Sequence, residues 1–261
     1  MRNFQFHRPK TVAEAVERLR GGDDAKALAG GQSLLPMLKL ELAQPGDLVS
    51  LAGIAELRQI REDGGNLLIG ALATHDEVSR SKPIPALASL AARIGDAQVR
   101  NRGTIGGSIA HADPAADYPA ALVALGATIA TDRRRIPADQ FFTGIFQSAL
   151  EPDELVTAVH FPVPDKAAYI KHAHRASKFA VVGVMVVRTK AGVRVAVTGA
   201  AARVFRIPEM EAALTKKFAP AAIEGITIPP DDLQSDSEAS AEFRAHLVGV
   251  MAKRAVAAAL A

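Results

Sequence analysis

The chain has 261 residues, 49% of them apolar, a formal net charge of +3 and no cysteine. That length supports one large domain or two to three small ones, and the missing thiols exclude disulfides, thiol nucleophiles and a cysteine-ligated iron–sulfur cluster within the chain. With 5% aromatic residues and one basic cluster, Arg133-Arg134-Arg135, read as a solvated turn, no nucleic-acid face is expected; no apolar run spans a bilayer, and Met1-Arg2-Asn3-Phe4-Gln5-Phe6-His7 has no signal-peptide core, so a cytoplasmic protein is expected.

Phe4-Gln5-Phe6 alternates as a short strand. Thr11 and Glu14 have capping-box spacing, which predicts a helix to about Arg20 that buries Val12, Val16 and Leu19 and ends at Gly21-Gly22. Residues 25–29 form a short strand. Ser33 is placed to cap a helix running through Leu34, Leu35, Leu38 and Leu42, with Pro36 in its first turn. Strands follow at 47–51 and 66–72. Thr74 and Glu77 repeat the capping-box spacing, and helices are expected at 86–94 and 117–125, then a strand at 127–131 and a hairpin at the arginine cluster.

Pro162-Val163-Pro164 marks a boundary, because two prolines around one residue disfavour helix and restrict strand pairing. Beyond it, the β-branched run at 181–189, the turn Lys190-Ala191-Gly192 and the alternation of Val193, Val195 and Val197 with Arg194, Ala196 and Thr198 predict a hairpin with one solvated face. Helices are expected at 207–218 and 239–260, the last with Phe243, Leu247, Val250, Met251 and Ala257 at helical spacing.

Two glycine turns carry most of the functional information: Ala29-Gly30-Gly31-Gln32-Ser33 and Thr104-Ile105-Gly106-Gly107-Ser108. Glycine permits positive φ and close backbone approach, and successive exposed N–H groups form an anion nest. The first turn joins a strand to a helix start, a geometry suited to phosphate. Two nests match the two charged centres of a diphosphate. Each feature also has a plainer reading. Gly30-Gly31 fits an ordinary strand-to-helix turn, and Gly106-Gly107 a bulge or helix start. Asp113 and Asp117 fit helix caps, His111 a loop residue, and Lys171 a surface position on a strand. His172 and His174 would share one face of a strand, where a metal pair competes with a surface or domain-interface role. No Ser-His-Asp set or metal-ligand cluster stands out.

The second turn lies in the string from Ile94-Gly95-Asp96 through Thr104-Ile105-Gly106-Gly107-Ser108 to His111-Ala112-Asp113-Pro114-Ala115-Ala116-Asp117. Together with Ala29-Gly30-Gly31-Gln32-Ser33-Leu34-Leu35-Pro36, it resembles the flavin-binding medium subunit of the molybdenum hydroxylases, the carbon monoxide and xanthine dehydrogenase type, over essentially the whole chain. The resemblance implies an α+β protein. Two N-terminal α/β subdomains, about 1–53 and 54–165, form a PCMH-type FAD-binding fold. Residues 166–261 form a C-terminal antiparallel sheet covered by helices. It also implies site residues. Ala27, Leu28, Ala29, Gly30, Gly31, Gln32, Ser33 and Leu34 form the first diphosphate loop. Thr104, Ile105, Gly106, Gly107 and Ser108 form the second. Asp117 meets the adenosine end, Ile94 the adenine side and Val156 the flavin, and Lys171 approaches the ring system. Gln32 departs from the histidine that some carbon monoxide dehydrogenase relatives carry there.

What the resemblance implies is an oxidoreductase subunit with FAD and no catalytic acid, base or metal of its own. Electrons would come from a small [2Fe–2S] subunit, after oxidation of substrate at a molybdenum cofactor on a large subunit. They would leave to NAD, a quinone or oxygen, in an assembly built as a dimer of heterotrimers. The absent cysteines set aside the branch with an inserted [4Fe–4S] cluster. Two other readings stay open on the sequence: a stand-alone flavoenzyme of the UDP-N-acetylenolpyruvoylglucosamine reductase type, and a non-catalytic assembly subunit that has lost its flavin.

Overall fold

A computed structural model describes residues 3–261; the expectation drawn from Met1 and Arg2 lies outside the described residues. Three larger sheets follow one another along the chain, besides a two-stranded one made by Phe142–Gly144 and Gln147–Ser148. The first is parallel: Asp47–Ser50 lies between Gln5–His7 and Lys26–Leu28, with Ala27 opposite Val49. Helix Val12–Gly21 makes the first crossover. Thr11 accepts from the Glu14 N–H, but the Glu14 carboxylate accepts from the Lys10 N–H at 2.7 Å, so the capping box is shifted by one residue. Ala15 and Leu19 form its buried face, with Val12 and Val16 packed half-buried against that core.

The second crossover contains helix Leu34–Lys39, shorter than expected. Ser33 sits at its N-cap position in a helical conformation and makes no capping hydrogen bond. Glu41 turns into the left-handed region at φ 59°, which ends the helical periodicity, and Leu42 is left exposed.

The second sheet is antiparallel, in the order Ile60–Asp63, Asn66–Gly70, Val156–Pro162, Thr128–Thr131, Arg135–Pro137. Between Asn66–Gly70 and Thr128–Thr131 the chain runs through helices His75–Ser79, Pro85–Ala91, Ala97–Arg100, Ile105–His111 and Tyr118–Leu125. Thr74 and Glu77 form the full predicted capping box. The arginine cluster is held by acids: Arg133 pairs with Asp132 and Asp153, and Arg134 with the buried carboxylate of Glu154.

The third sheet is antiparallel and runs Lys166–Ala173, Ala180–Thr189, Gly192–Thr198, Phe205–Arg206. Val193, Val195 and Val197 face helices Pro208–Lys216 and Ala241–Leu260. The other face was expected to be solvated and is not. Met185, Val187 and Ala196 join the core of the second sheet, with helix Tyr118–Leu125 packed between. All eight residues of that helix are buried, and a helix apolar all round must be covered on every side. Arg194 survives there because its guanidinium donates to the Val123 carbonyl and to Asp139. On Ala241–Leu260 the buried face is Leu247, Val248, Met251, Ala252, Ala255, Val256 and Ala259, whereas Phe243 and Ala257 are exposed.

Candidate functional site

The two glycine segments meet. A Cβ on Gly30 would lie 2.0 Å from the Arg102 carbonyl oxygen and 2.9 Å from the Gly103 Cα. Only glycine lets these backbones pack together. Gly31 has φ 76°, a left-handed turn that aims the chain into helix Leu34–Lys39. Among the described residues, no backbone carbonyl accepts from the N–H groups of Gly30, Gly31, Gln32, Ser33 or Leu34; pairing resumes with Leu35, which donates to Gly31 at 3.1 Å. This loop is a row of free donors.

The second segment is different, and here the sequence expectation of a second nest is corrected. Ile105 donates to the Ala73 carbonyl and Gly106 to the Ala71 carbonyl; Ser108 donates to the Thr104 carbonyl. Gly107 donates to the Thr104 hydroxyl at 3.1 Å. The segment opens helix Ile105–His111 with Thr104 as its N-cap. All four N–H groups are used inside the protein. Gly106 is demanded by packing, because its Cβ would fall 2.5 Å from the Ala71 Cβ and 2.7 Å from the Ala71 oxygen. Gly107 is the open position of the pair: its nearest neighbours would be the Thr104 hydroxyl at 3.0 Å and the Ala29 Cβ at 3.6 Å.

The segments border a cleft of about 500 Å³, within the roughly 300–1,000 Å³ usual for small-molecule sites. Ala27, Ala29, Gly30, Gly31, Gln32, Ser33 and Leu34 line it, with Ile94, Thr104, Gly106, Gly107, Ser108, Asp117 and Val156. Three candidates do not. Leu28 lies off the cleft, Ile105 is fully buried, and the Lys171 side chain, 4% exposed, turns inward. The Lys171 ammonium donates to Asp117 at 2.9 Å and to the carbonyls of Arg93 at 3.0 Å and Lys178 at 2.7 Å, so all three of its donors are taken. It is not a surface lysine.

Asp117 makes no helix cap. One carboxylate oxygen accepts from Lys171 and the other from the Tyr169 hydroxyl at 2.5 Å. Burial pushes its carboxyl above the usual range, against the pull of Lys171 and Tyr169. Its polar capacity is largely spent on fixing the third sheet to the start of helix Tyr118–Leu125. Glu154, also at the cleft, is held down to about 2 by its hydrogen bonds from Arg134.

Several other lining residues carried no sequence signal. His75 and Phe179 are the most informative. His75 follows the Thr74 cap and is 5% exposed, with Nδ1 against the Tyr118 hydroxyl at 3.2 Å. Burial holds its imidazole down at about 4, with Arg100 adding to the effect. Phe179 is 45% exposed, beside Lys178, whose carbonyl Lys171 holds. His111 ends its helix with its ring 5.1 Å from that of Phe146.

His172 and His174 do not form a pair on one strand face. The strand ends at Ala173, and His174 Nδ1 accepts from the N–H groups of Ala176 and Ser177. Among the described residues no group of three or more His, Cys, Asp or Glu residues is placed to hold a metal, and no helix is long and apolar enough to cross a membrane. The cleft therefore offers one end rich in backbone donors and walls that are mainly apolar, the division of labour of a site for an elongated anionic ligand with an aromatic part.

Comparison with known proteins agrees. Residues 2–164 match the model of the FAD binding domain in molybdopterin dehydrogenase. The chain is 39% identical to the carbon monoxide dehydrogenase medium chain of Hydrogenophaga pseudoflava, covering 99% of this chain and 97% of the relative. It is 33% identical to the nicotine 6-hydroxylase medium subunit of Paenarthrobacter nicotinovorans, covering 94% and 88%. Among solved structures, carbon monoxide dehydrogenase from Hydrogenophaga pseudoflava lacking the Mo-pyranopterin moiety superposes with a TM-score of 0.89 at 39% identity, over 99% of this chain and 98% of that one. The chain belongs to the FAD-binding domain family of the molybdopterin dehydrogenases, as an FAD-binding medium subunit of the molybdenum hydroxylases.

Proposed function

We propose that the cleft holds FAD with its diphosphate over Gly30–Leu34, and that the chain relays electrons from a [2Fe–2S] subunit to a final acceptor. The observation that carries the reading is the run of five consecutive N–H groups without a backbone acceptor, from Gly30 to Leu34, at one end of a largely apolar cleft. Bound there, FAD supplies electron transfer in one- and two-electron steps. The chain's own residues bind, orient and shield. The first loop neutralises the diphosphate through backbone dipoles, with the Ser33 and Ser108 hydroxyls as side-chain donors. Ile94 and Val156 give apolar surface to the rings, Asp117 lines the cleft, and Lys171 holds Asp117 from behind the wall.

The chain has no cysteine, so it holds no [2Fe–2S] cluster itself. By likeness to the medium chains of this family, the partners proposed are a small [2Fe–2S] subunit and a large molybdenum-binding subunit, assembled as a dimer of heterotrimers in the cytoplasm. NAD, a quinone or oxygen takes the electrons. The domain division, 1–165 and 166–261, is drawn where Pro162 ends the second sheet and Lys166 opens the third. Relatives of similar sequence are named for carbon monoxide and for nicotine, which fits a substrate chosen on another polypeptide.

Native isolation tests the electron path. The expected result is equimolar co-purification with a cysteine-rich iron–sulfur chain and a larger molybdenum-containing chain. An isolated chain that oxidises NADPH with a sugar-nucleotide substrate would instead establish the stand-alone reductase.

A further inference from the structure

Beyond the two loops, one buried polar side chain at the cleft carries a ring nitrogen that the fold does not use. His75 is 5% exposed and lines the cleft. Its backbone N–H is committed to the Gly103 carbonyl at 2.9 Å. On its ring, Nδ1 meets the Tyr118 hydroxyl, itself fully buried and off the cleft. The opposite edge, Nε2 and Cδ2, lies against Gly103: a Cβ there would be 2.5 Å from Nε2. No described residue donates to Nε2 or accepts from it. Nor is it sealed in the core, since Arg244 Nε is the one buried side-chain nitrogen or oxygen among the described residues without a partner. Nε2 therefore opens to the cleft, and Gly103 beside it touches Gly30, the first residue of the free-donor loop.

A phenol is the stronger donor and a neutral imidazole nitrogen the stronger acceptor. Tyr118 accordingly donates to Nδ1, which leaves the ring proton on Nε2. We infer that His75 is a binding residue of the cofactor site, its Nε2–H donating to an acceptor in the phosphate–ribose portion of the dinucleotide where the two glycine segments meet. This rests on the FAD reading above. It adds a neutral side-chain donor to a site otherwise supplied mainly by backbone, and it gives the Tyr118 hydroxyl a task, that of fixing the tautomer.

Glutamine and asparagine separate this role from a structural one. The glutamine amide reaches the position of Nε2, the asparagine amide that of Nδ1. FAD dissociation constants are measured by flavin fluorescence on deflavinated protein, isolated with the chains that co-purify with it, and thermal unfolding checks each fold. His75→Gln is expected to stay within about threefold of the unsubstituted protein. His75→Asn and His75→Phe are expected to weaken binding about tenfold, the scale of one hydrogen bond. Unchanged affinity in a folded His75→Phe protein overturns the inference, as does retention by asparagine with loss by glutamine. If the phenylalanine variant fails to fold, 15N-histidine spectra of the unsubstituted chain decide: the Nε2 resonance of His75 moves on adding FAD, and a static resonance overturns the inference. A folded, unsubstituted protein that binds no FAD removes the cofactor reading as well, whereas binding with an unmoved His75 removes this inference alone.

Discussion

The carbonyl oxygen of Arg102 lies 2.0 Å from where a Cβ on Gly30 would have to sit. The two glycine segments are thus a packed pair: the first presents its N–H groups because the second supports it from behind. Gly30→Ala forces them apart. Overpacking of this kind costs about 1–3 kcal/mol, and the opened loop should also lose FAD affinity. Denaturant unfolding with an FAD titration checks both. An alanine variant with unchanged stability would mean that the segments do not touch.

Gly106 and Gly107 should behave differently although they are neighbours. Gly106→Ala meets the Ala71 backbone and Cβ and is expected to destabilise the protein by about 1–3 kcal/mol, whether or not FAD is present. Gly107→Ala meets only the Thr104 hydroxyl closely, so its stability should stay within about 1 kcal/mol while FAD binding weakens, because it lines the cleft. Equal losses of stability in the two variants would contradict the assignment of Gly106 to packing.

The Asp117–Lys171 pair has side chains 3% and 4% exposed. Lys171→Met leaves a buried carboxylate with Tyr169 alone and should cost about 3–5 kcal/mol. It also frees the Lys178 carbonyl, loosening the stretch that carries Phe179 along the cleft. Adding Asp117→Asn should recover part of the loss. If the single variant costs under about 1 kcal/mol in urea unfolding, the pair is not the clasp described here.

His75 makes the fold acid-sensitive. Its imidazole is held at about 4 against an ordinary 6.5 by burial, with Arg100 the charged group acting on it and Tyr118 its hydroxyl partner. Between those values the unfolded chain binds a proton that the folded chain does not, so stability falls as pH drops from 6.5 toward 4, by about 3 kcal/mol in all. Glu154 adds a second loss lower down. Its carboxyl is depressed from 4.5 to about 2, so its contribution is complete above 4.5 and is lost as pH falls toward 2. His75→Gln should flatten the upper window and leave the lower one. A pH–stability profile unchanged by that substitution would refute the assignment.

The first loop was legible in the sequence because its cause is local: strand, two glycines and a helix start are consecutive. The second glycine pair reflects packing and not a row of free N–H groups. Gly106 marks a contact with Ala71, and proximity between distant segments leaves no trace in spacing. The helix at Tyr118–Leu125 also removes a solvated face from the third sheet. The alternation in Gly192–Thr198 predicts a polar face outward, but an all-apolar helix covers that face and Arg194 donates to the helix's Val123 carbonyl. His75 was invisible because one histidine after a helix cap has no pattern. Its significance comes from Tyr118 and Gly103, 43 residues away in sequence in the case of Tyr118.

The central claim, that this chain holds FAD in the cleft built on Gly30–Leu34, is tested most directly by isolating the protein with its co-purifying chains and measuring bound flavin. The account predicts one FAD per copy of the chain, lost in a folded Gly107→Ala or His75→Phe variant more readily than in the unsubstituted protein. A correctly folded and assembled protein without flavin, and unable to take up added FAD, would contradict it.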